Sequence, residues 1–175
     1  MKITRRQLRR IIREAAEGDL RQTAGVIIVD RNPALSEAHV LVLRAYRNWD
    51  FPKGGFDERH DTILVDTAIR EAREETTLEA GVDYKLSLKK VLSNPYGGTG
   101  GRKIATYYLA ERTSGKDPFL AVNPEIGKPE HDEWRWVSLS EIIDPGSDLK
   151  MNTQRMLPVI SFLMTDPSLI AGELS

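Results

Sequence analysis

Three glutamates, Glu71, Glu74 and Glu75, stand three and four residues apart in the run Ile69-Arg70-Glu71-Ala72-Arg73-Glu74-Glu75-Thr76. On an α-helix that spacing places all three carboxylates on one face. Like charges so placed repel by roughly 0.2–0.5 kcal/mol per pair on an exposed helix. A cation between them removes the penalty. Oxygen-only donors suit a hard ion such as Mg²⁺ or Mn²⁺, which bridges carboxylates to substrate phosphates. The competing reading is a solvated charged face on which Arg70 and Arg73 are the partners.

The elements that must carry this helix can be read around it. Residues 62–78 are expected to be helical. Residues 23–30 (TAGVIIVD) and 38–46 (AHVLVLRAY) read as neighbouring strands, apolar on both faces, of a sheet covered on both sides. Residues 48–55 (NWDFPKGG) read as a loop, stiffened by Pro52 and freed by Gly54 and Gly55. Further strand signals fall at 89–92, 103–110, 119–122 and 134–137. A short helix is expected from Ser138, with Ser138 and Glu141 at capping-box spacing. A closing helix over 152–164 should hold Pro158 in or near its first turn. Strands and helices do not alternate regularly, so the fold class expected is an α/β sandwich with a mixed sheet, not a doubly wound one.

The context of the acidic run is what gives it meaning. From Gly54 to Leu78 the chain resembles the signature box of the Nudix hydrolases, with Gly54 as its opening glycine, Arg70 to Glu75 as its core and Leu78 as its closing aliphatic. Trp49-Asp50-Phe51-Pro52-Lys53-Gly54 leads in as in many members. Pro129 to Ser138 (PEHDEWRWVS) looks like the segment that supplies an extra catalytic glutamate in dinucleoside-polyphosphate hydrolases and RNA pyrophosphohydrolases. The likeness spans about residues 23–144. It departs from the box in three places. Two extra residues separate Gly54 from Arg70, the first box glutamate falls on His60 or Asp61, and the glycine after the paired glutamates is Thr77. Asp61 reads best as an N-cap or loop residue.

The resemblance implies a Nudix-type α/β/α sandwich and attack of water on a phosphorus within a diphosphate, with Mg²⁺ or Mn²⁺ neutralising charge on the anhydride oxygens. It implies Glu74 and Glu75 as principal metal ligands and Glu71 as a further ligand or base. The backbone carbonyl of Lys53 or Gly54 would complete the shell, and Arg70 would hold the helix carboxylates. Glu130 is the expected additional ligand or general base, ahead of Glu133 and Glu125. Candidate substrate contacts are Arg44, Arg47 and Lys53 around the box entry, and Tyr96 and Arg102 in the glycine-rich stretch 94–103. That stretch reads as a strand-to-strand loop. Trp49 could stack on a base or belong to the core. Trp134 and Trp136 should pack on one sheet face.

Composition narrows the partners. A chain of 175 residues fits one domain, and residues 1–17 read as a basic helical appendage to a Nudix domain over 18–175. Residues 1–13 carry six basic residues and no acid, which leaves 19 basic and 26 acidic residues in the remainder, a net −7. An acidic body disfavours a broad surface for long nucleic acid and favours a small polyanion met at a metal. With no cysteine, disulfides and thiolate chemistry are excluded and a reducing cytoplasm is the expected setting. No apolar run approaches the roughly 18 residues of a membrane span. The expected substrate is a dinucleoside polyphosphate such as diadenosine tetraphosphate. The 5′ end of triphosphorylated RNA, ADP-ribose and nucleotide sugars are alternatives, and a catalytically silent nucleotide-binding module is the reading of another class. Oligomeric state is not legible in these residues.

Overall fold

The structure is a computed structural model that describes residues 20–166 apart from 33, 99 and 100; the basic N-terminal helix expected over 1–17 lies outside the described residues. Strands β1 (Arg21–Asp30), β2 (His39–Ala45), β3 (Asn48–Asp50), β4 (Lys53–Gly55), β5 (Tyr84–Leu92), β6 (Tyr96–Gly98), β7 (Gly101–Arg112) and β8 (Glu133–Ser138) join one sheet. Its main path runs β3-β2-β1-β7-β5, with β4 on β1, β6 on β7 and β8 on β2. β1 and β7 are parallel and the other strand pairs antiparallel, so the sheet is mixed.

Alternation along β1 explains the layers. Ala24, Val26 and Ile28 face one core, shared with Ala68 and Ala72 of helix α1 (Leu64–Thr76). Ile27 and Val29 face the other, closed by Leu139 of α2 (Leu139–Ile143) and by Met156, Val159 and Leu163 of α3 (Thr153–Thr165). Successive strand residues point to opposite faces, and each face is apolar. The result is the α/β sandwich with a mixed sheet. Small residues matter on the α1 side, because Ala68 and Ala72 let the acidic helix settle directly on β1.

Several expectations are corrected. Residues 48–55 are not plain loop; they hold β3 and β4, because Trp49 and Phe51 are sunk in the core at 2% and 1% exposure. β4 can press against β1 only because Gly25 has no side chain. A Cβ there would lie 2.3 Å from the Pro52 carbonyl oxygen. Residues 119–122 form no strand. Phe119 N donates to the Thr76 carbonyl (2.9 Å) and the segment crosses the end of α1 as coil, with Phe119 and Val122 exposed. Pro158 lies near the first turn of α3, as expected, in its second turn. Proline has no N–H for the carbonyl four residues back; that carbonyl, of Gln154, takes Asn94 Nδ2 instead at 2.9 Å.

Helix α1 ends on Thr77 in the left-handed conformation (φ 60°), whose N–H donates to the Arg73 carbonyl at 2.8 Å. This is the position where the family box carries glycine, and a β-branched residue there is strained by roughly 1–2 kcal/mol. Thr77→Gly is therefore expected to stabilise the fold by about 1 kcal/mol, after its own unfolded-state entropy cost. Urea unfolding would show it as a raised midpoint at constant m value; an unchanged or lowered midpoint would mean the strain is absent.

Candidate active site

Glu71 and Glu75 stand where α1 borders β4, and Glu74 faces outward with its side chain half exposed. Glu75 is buried; its Oε2 accepts the Lys53 N–H at 3.0 Å. Glu71 lies flat on the backbone of Gly54, where a Cβ would fall 2.0 Å from its carboxyl carbon. Arg70 ties the group together. Its Nη1 donates to Glu71 (2.8 Å) and to Glu74 (3.1 Å), and its Nη2 to the Gly55 carbonyl (3.0 Å).

The other side of that guanidinium settles which residue faces it. Asp61 receives Arg70 Nε at 2.9 Å and Nη2 at 2.8 Å, and also Thr67 Oγ1 and the Asp57 N–H. Its carboxyl is held down to about 2, first by the Arg70 hydrogen bonds. It is a buried clasp and not the N-cap of α1. That place is taken by Ile63, and Asp66 receives the Thr62 and Ile63 N–H groups. His60 is exposed and turned to Asp57. The two-residue insertion thus loops outward and leaves an acid opposite the arginine.

Burial pushes the Glu71 carboxyl above its ordinary value, against the pull of Arg70, and pushes Glu75 well above it, with Glu71 and Glu130 adding repulsion. Two desolvated carboxylates beside a third acid are a donor set that a divalent cation would satisfy. Among the described residues no three acids or histidines already surround a single point. Arg70 stands between Glu71 and Glu74.

Across from the helix, the loop before β8 closes a cleft of about 490 Å³ lined by Arg70, Glu71, Glu74, Glu75, Glu130 and His131 on its polar side and by Leu120, Val122 and Pro124 on its apolar side. Asn123 Nδ2 donates to Glu130 Oε1, and Asn123 N and the Lys128 carbonyl close the turn that presents it. Glu125 also lines the cleft, whereas Glu133 pairs with Arg44 and Arg135 outside it. Burial, then Lys53, depress the His131 imidazole, and its Nδ1 stands 3.9 Å from Glu75 Oε1.

A second cleft, about 750 Å³, opens on the far side of His131 and is lined by Lys53, Tyr46 and Tyr96. Of the substrate candidates, the structure brings Lys53 and Tyr96 there. Arg44 pairs with Asp132 (2.8 Å) and Glu133 (2.7 Å), tethering the late loop, and neither it nor Arg47 nor Arg102 lines either cleft. Within the 94–103 stretch, β6 pairs antiparallel with the start of β7. Trp49 is core, with Arg135 stacked 4.7 Å from its ring, and Trp134 and Trp136 pack on the α1-side core. Sequence reasoning gave no role to Asp50, His131 or Arg155 of the second cleft. Arg155 sits in an ordinary helix turn and carried no signal.

The family model described as NUDIX domain matches residues 19–160. The chain belongs to the Nudix family. Among curated proteins, this Nudix chain is 21% identical over 141 residues to Nudix hydrolase 26, chloroplastic, of Arabidopsis thaliana, covering 74% of the chain and 63% of that protein, so it spans less than two thirds of that relative. It is 24% identical to the RNA pyrophosphohydrolase of Pelagibacter ubique over 149 residues, 78% of this chain and 87% of the other. Among solved structures, the Ap4A hydrolase of C. elegans in a binary complex matches with a TM-score of 0.59 at 24% identity, over 71% of this chain and 84% of that one. That likeness shows the Nudix fold. The hydrolase class expected from the motif agrees with the names of these relatives.

Proposed function

We propose that this Nudix protein hydrolyses a phosphoanhydride bond of a dinucleoside polyphosphate such as diadenosine tetraphosphate, with Mg²⁺ or Mn²⁺, in a reducing cytoplasm. The observation that carries the reading is the pair of clefts meeting at His131, one rich in carboxylates and the other holding Lys53 beside Tyr46 and Tyr96. A long phosphate chain with a nucleoside at its end needs both kinds of surface. Glu71, Glu74 and Glu75, with the carbonyl of Lys53 or Gly54, would hold the divalent cation. That ion supplies charge neutralisation on the anhydride oxygens when bound. Arg70, anchored on Asp61, keeps Glu71 and Glu74 in place. Glu130, presented by the Asn123 turn, orients water and takes its proton. Lys53 and Tyr96 meet the rest of the substrate.

A second reading, removal of pyrophosphate from a triphosphorylated RNA 5′ end, is favoured by the relatives named RNA pyrophosphohydrolase. A substrate panel with Mg²⁺ or EDTA separates the two by products. The expected result is turnover of diadenosine tetraphosphate, lost in EDTA, that survives removal of residues 1–17 as a basic appendage. Turnover of triphosphorylated RNA alone, falling with that removal, would replace the first reading by the second. No metal-dependent turnover of any member would leave a nucleotide-binding module.

A further inference from the structure

Four groups converge on the Asp50 carboxylate at the floor of the second cleft. Its Oδ1 accepts the Phe51 N–H and the Tyr107 hydroxyl, each at 2.9 Å. Its Oδ2 faces Lys53 Nζ at 3.0 Å and Arg155 Nη2 at 2.7 Å. Two cations therefore share one carboxylate. Asp50, Lys53 and Arg155 are the formally charged residues lining this cleft, so its floor carries a net +1. The side chains of Lys53, Arg155 and Asp50 are only 22%, 11% and 14% exposed, which limits screening by water.

Stacking and burial hold the Arg155 guanidinium in place at this floor. Arg155 lies over the Tyr96 ring, 4.9 Å from its centroid, which fixes the plane of the guanidinium. Its Nε is buried without a hydrogen-bond partner, and so is Nδ1 of His131. An anion answers the net positive charge, and a guanidinium held in a fixed plane favours phosphate. His131 lines this cleft and the carboxylate cleft alike.

We propose that Lys53 and Arg155, their charge partly neutralised by Asp50, form a second phosphate subsite that selects polyphosphate chains long enough to reach it from the carboxylate cleft. This deepens the function proposed above and rests on the carboxylate cleft taking the scissile anhydride. Dinucleoside tetraphosphates have the length to occupy both places. A two-phosphate compound such as ADP-ribose commits its diphosphate to the first.

Calorimetric titration with inorganic tripolyphosphate in EDTA tests the subsite apart from catalysis. Arg155→Met is expected to weaken binding at least about tenfold, the value of one charge-assisted hydrogen bond to an anion. Arg155→Lys keeps the charge and should retain most of the binding, which keeps the test informative if the methionine variant does not fold. Asp50→Asn should bind more tightly than the parent, because the floor then carries +2; a purely structural Asp50 would give the opposite sign. In kinetics, Arg155→Met should lower the preference for diadenosine tetraphosphate over ADP-ribose, read as a ratio of kcat/KM, by about tenfold. Binding indifferent to the Arg155 variants, or weakened by Asp50→Asn, would overturn the subsite even in an active enzyme. Binding that follows the expected pattern in a protein that turns nothing over would keep the subsite and remove the hydrolase reading.

Discussion

Replacing Glu75 by glutamine is expected to lower kcat by at least about a hundredfold while leaving the metal-free fold at least as stable as the parent. The two effects have one origin. Glu75 is buried beside Glu71 and within the field of Glu130, and burial raises its carboxyl well above the ordinary 4.5. A carboxyl raised on folding contributes stability that is complete below about pH 4.5 and is lost as pH rises through its folded value. At neutral pH without a cation its charge therefore opposes the fold. Glutamine removes that charge and keeps an oxygen for the Lys53 N–H. Mg²⁺ or Mn²⁺ should raise the parent's Tm at pH 7.5 and much less at pH 5, where protons compete for Glu71 and Glu75. The variant should show a smaller metal-induced rise at either pH. Glu74→Gln should share the loss in kcat. A folded Glu75→Gln protein with near-parent kcat and the parent's metal-induced Tm shift would sink the assignment of this helix face.

Gly54→Ala should cost about a hundredfold in kcat with little loss of stability. A methyl group at 54 would lie 2.0 Å from the Glu71 carboxyl carbon and 2.2 Å from both its oxygens. Those atoms end a flexible side chain, so the carboxylate swings away and the fold survives. The swing takes Glu71 off the site and breaks its Arg70 bond, and displacements of about 1 Å at a catalytic group can cost that much. Gly55→Ala is the control, since no atom lies within 4 Å of its added Cβ. Steady-state kinetics and melting curves on the two variants make the comparison. Equal activity in both would mean that Glu71 is not held where it matters.

How much of this was legible beforehand depends on the range of the interaction. Helix α1 and its three acids follow from local periodicity, as do β1, β2 and the Ser138 cap, whose Oγ receives the Glu141 N–H at 3.1 Å. The departure at Thr77 was visible too, although only the backbone gave it a cost. Residues 119–122 misled because a run with an aromatic and a β-branched residue has strand propensity, yet among the described residues it pairs with no strand. Residues 48–55 misled the other way: the proline and glycines read as loop, and the residue that lets β4 lie on β1 is the distant Gly25.

The sequence by itself determined the family resemblance, the acidic helix and the sandwich class, because each is written in residue type at fixed short spacing. Only the tertiary structure decided that Asp61, and not His60, receives Arg70, that Arg44 tethers a loop, and that Asp50 gathers Lys53 and Arg155. Those pairings join residues up to 105 positions apart, as with Asp50 and Arg155. Charge attraction carries no sequence period, so the partner is chosen by which side chains the folded sheet and helices leave within about 3 Å of one another.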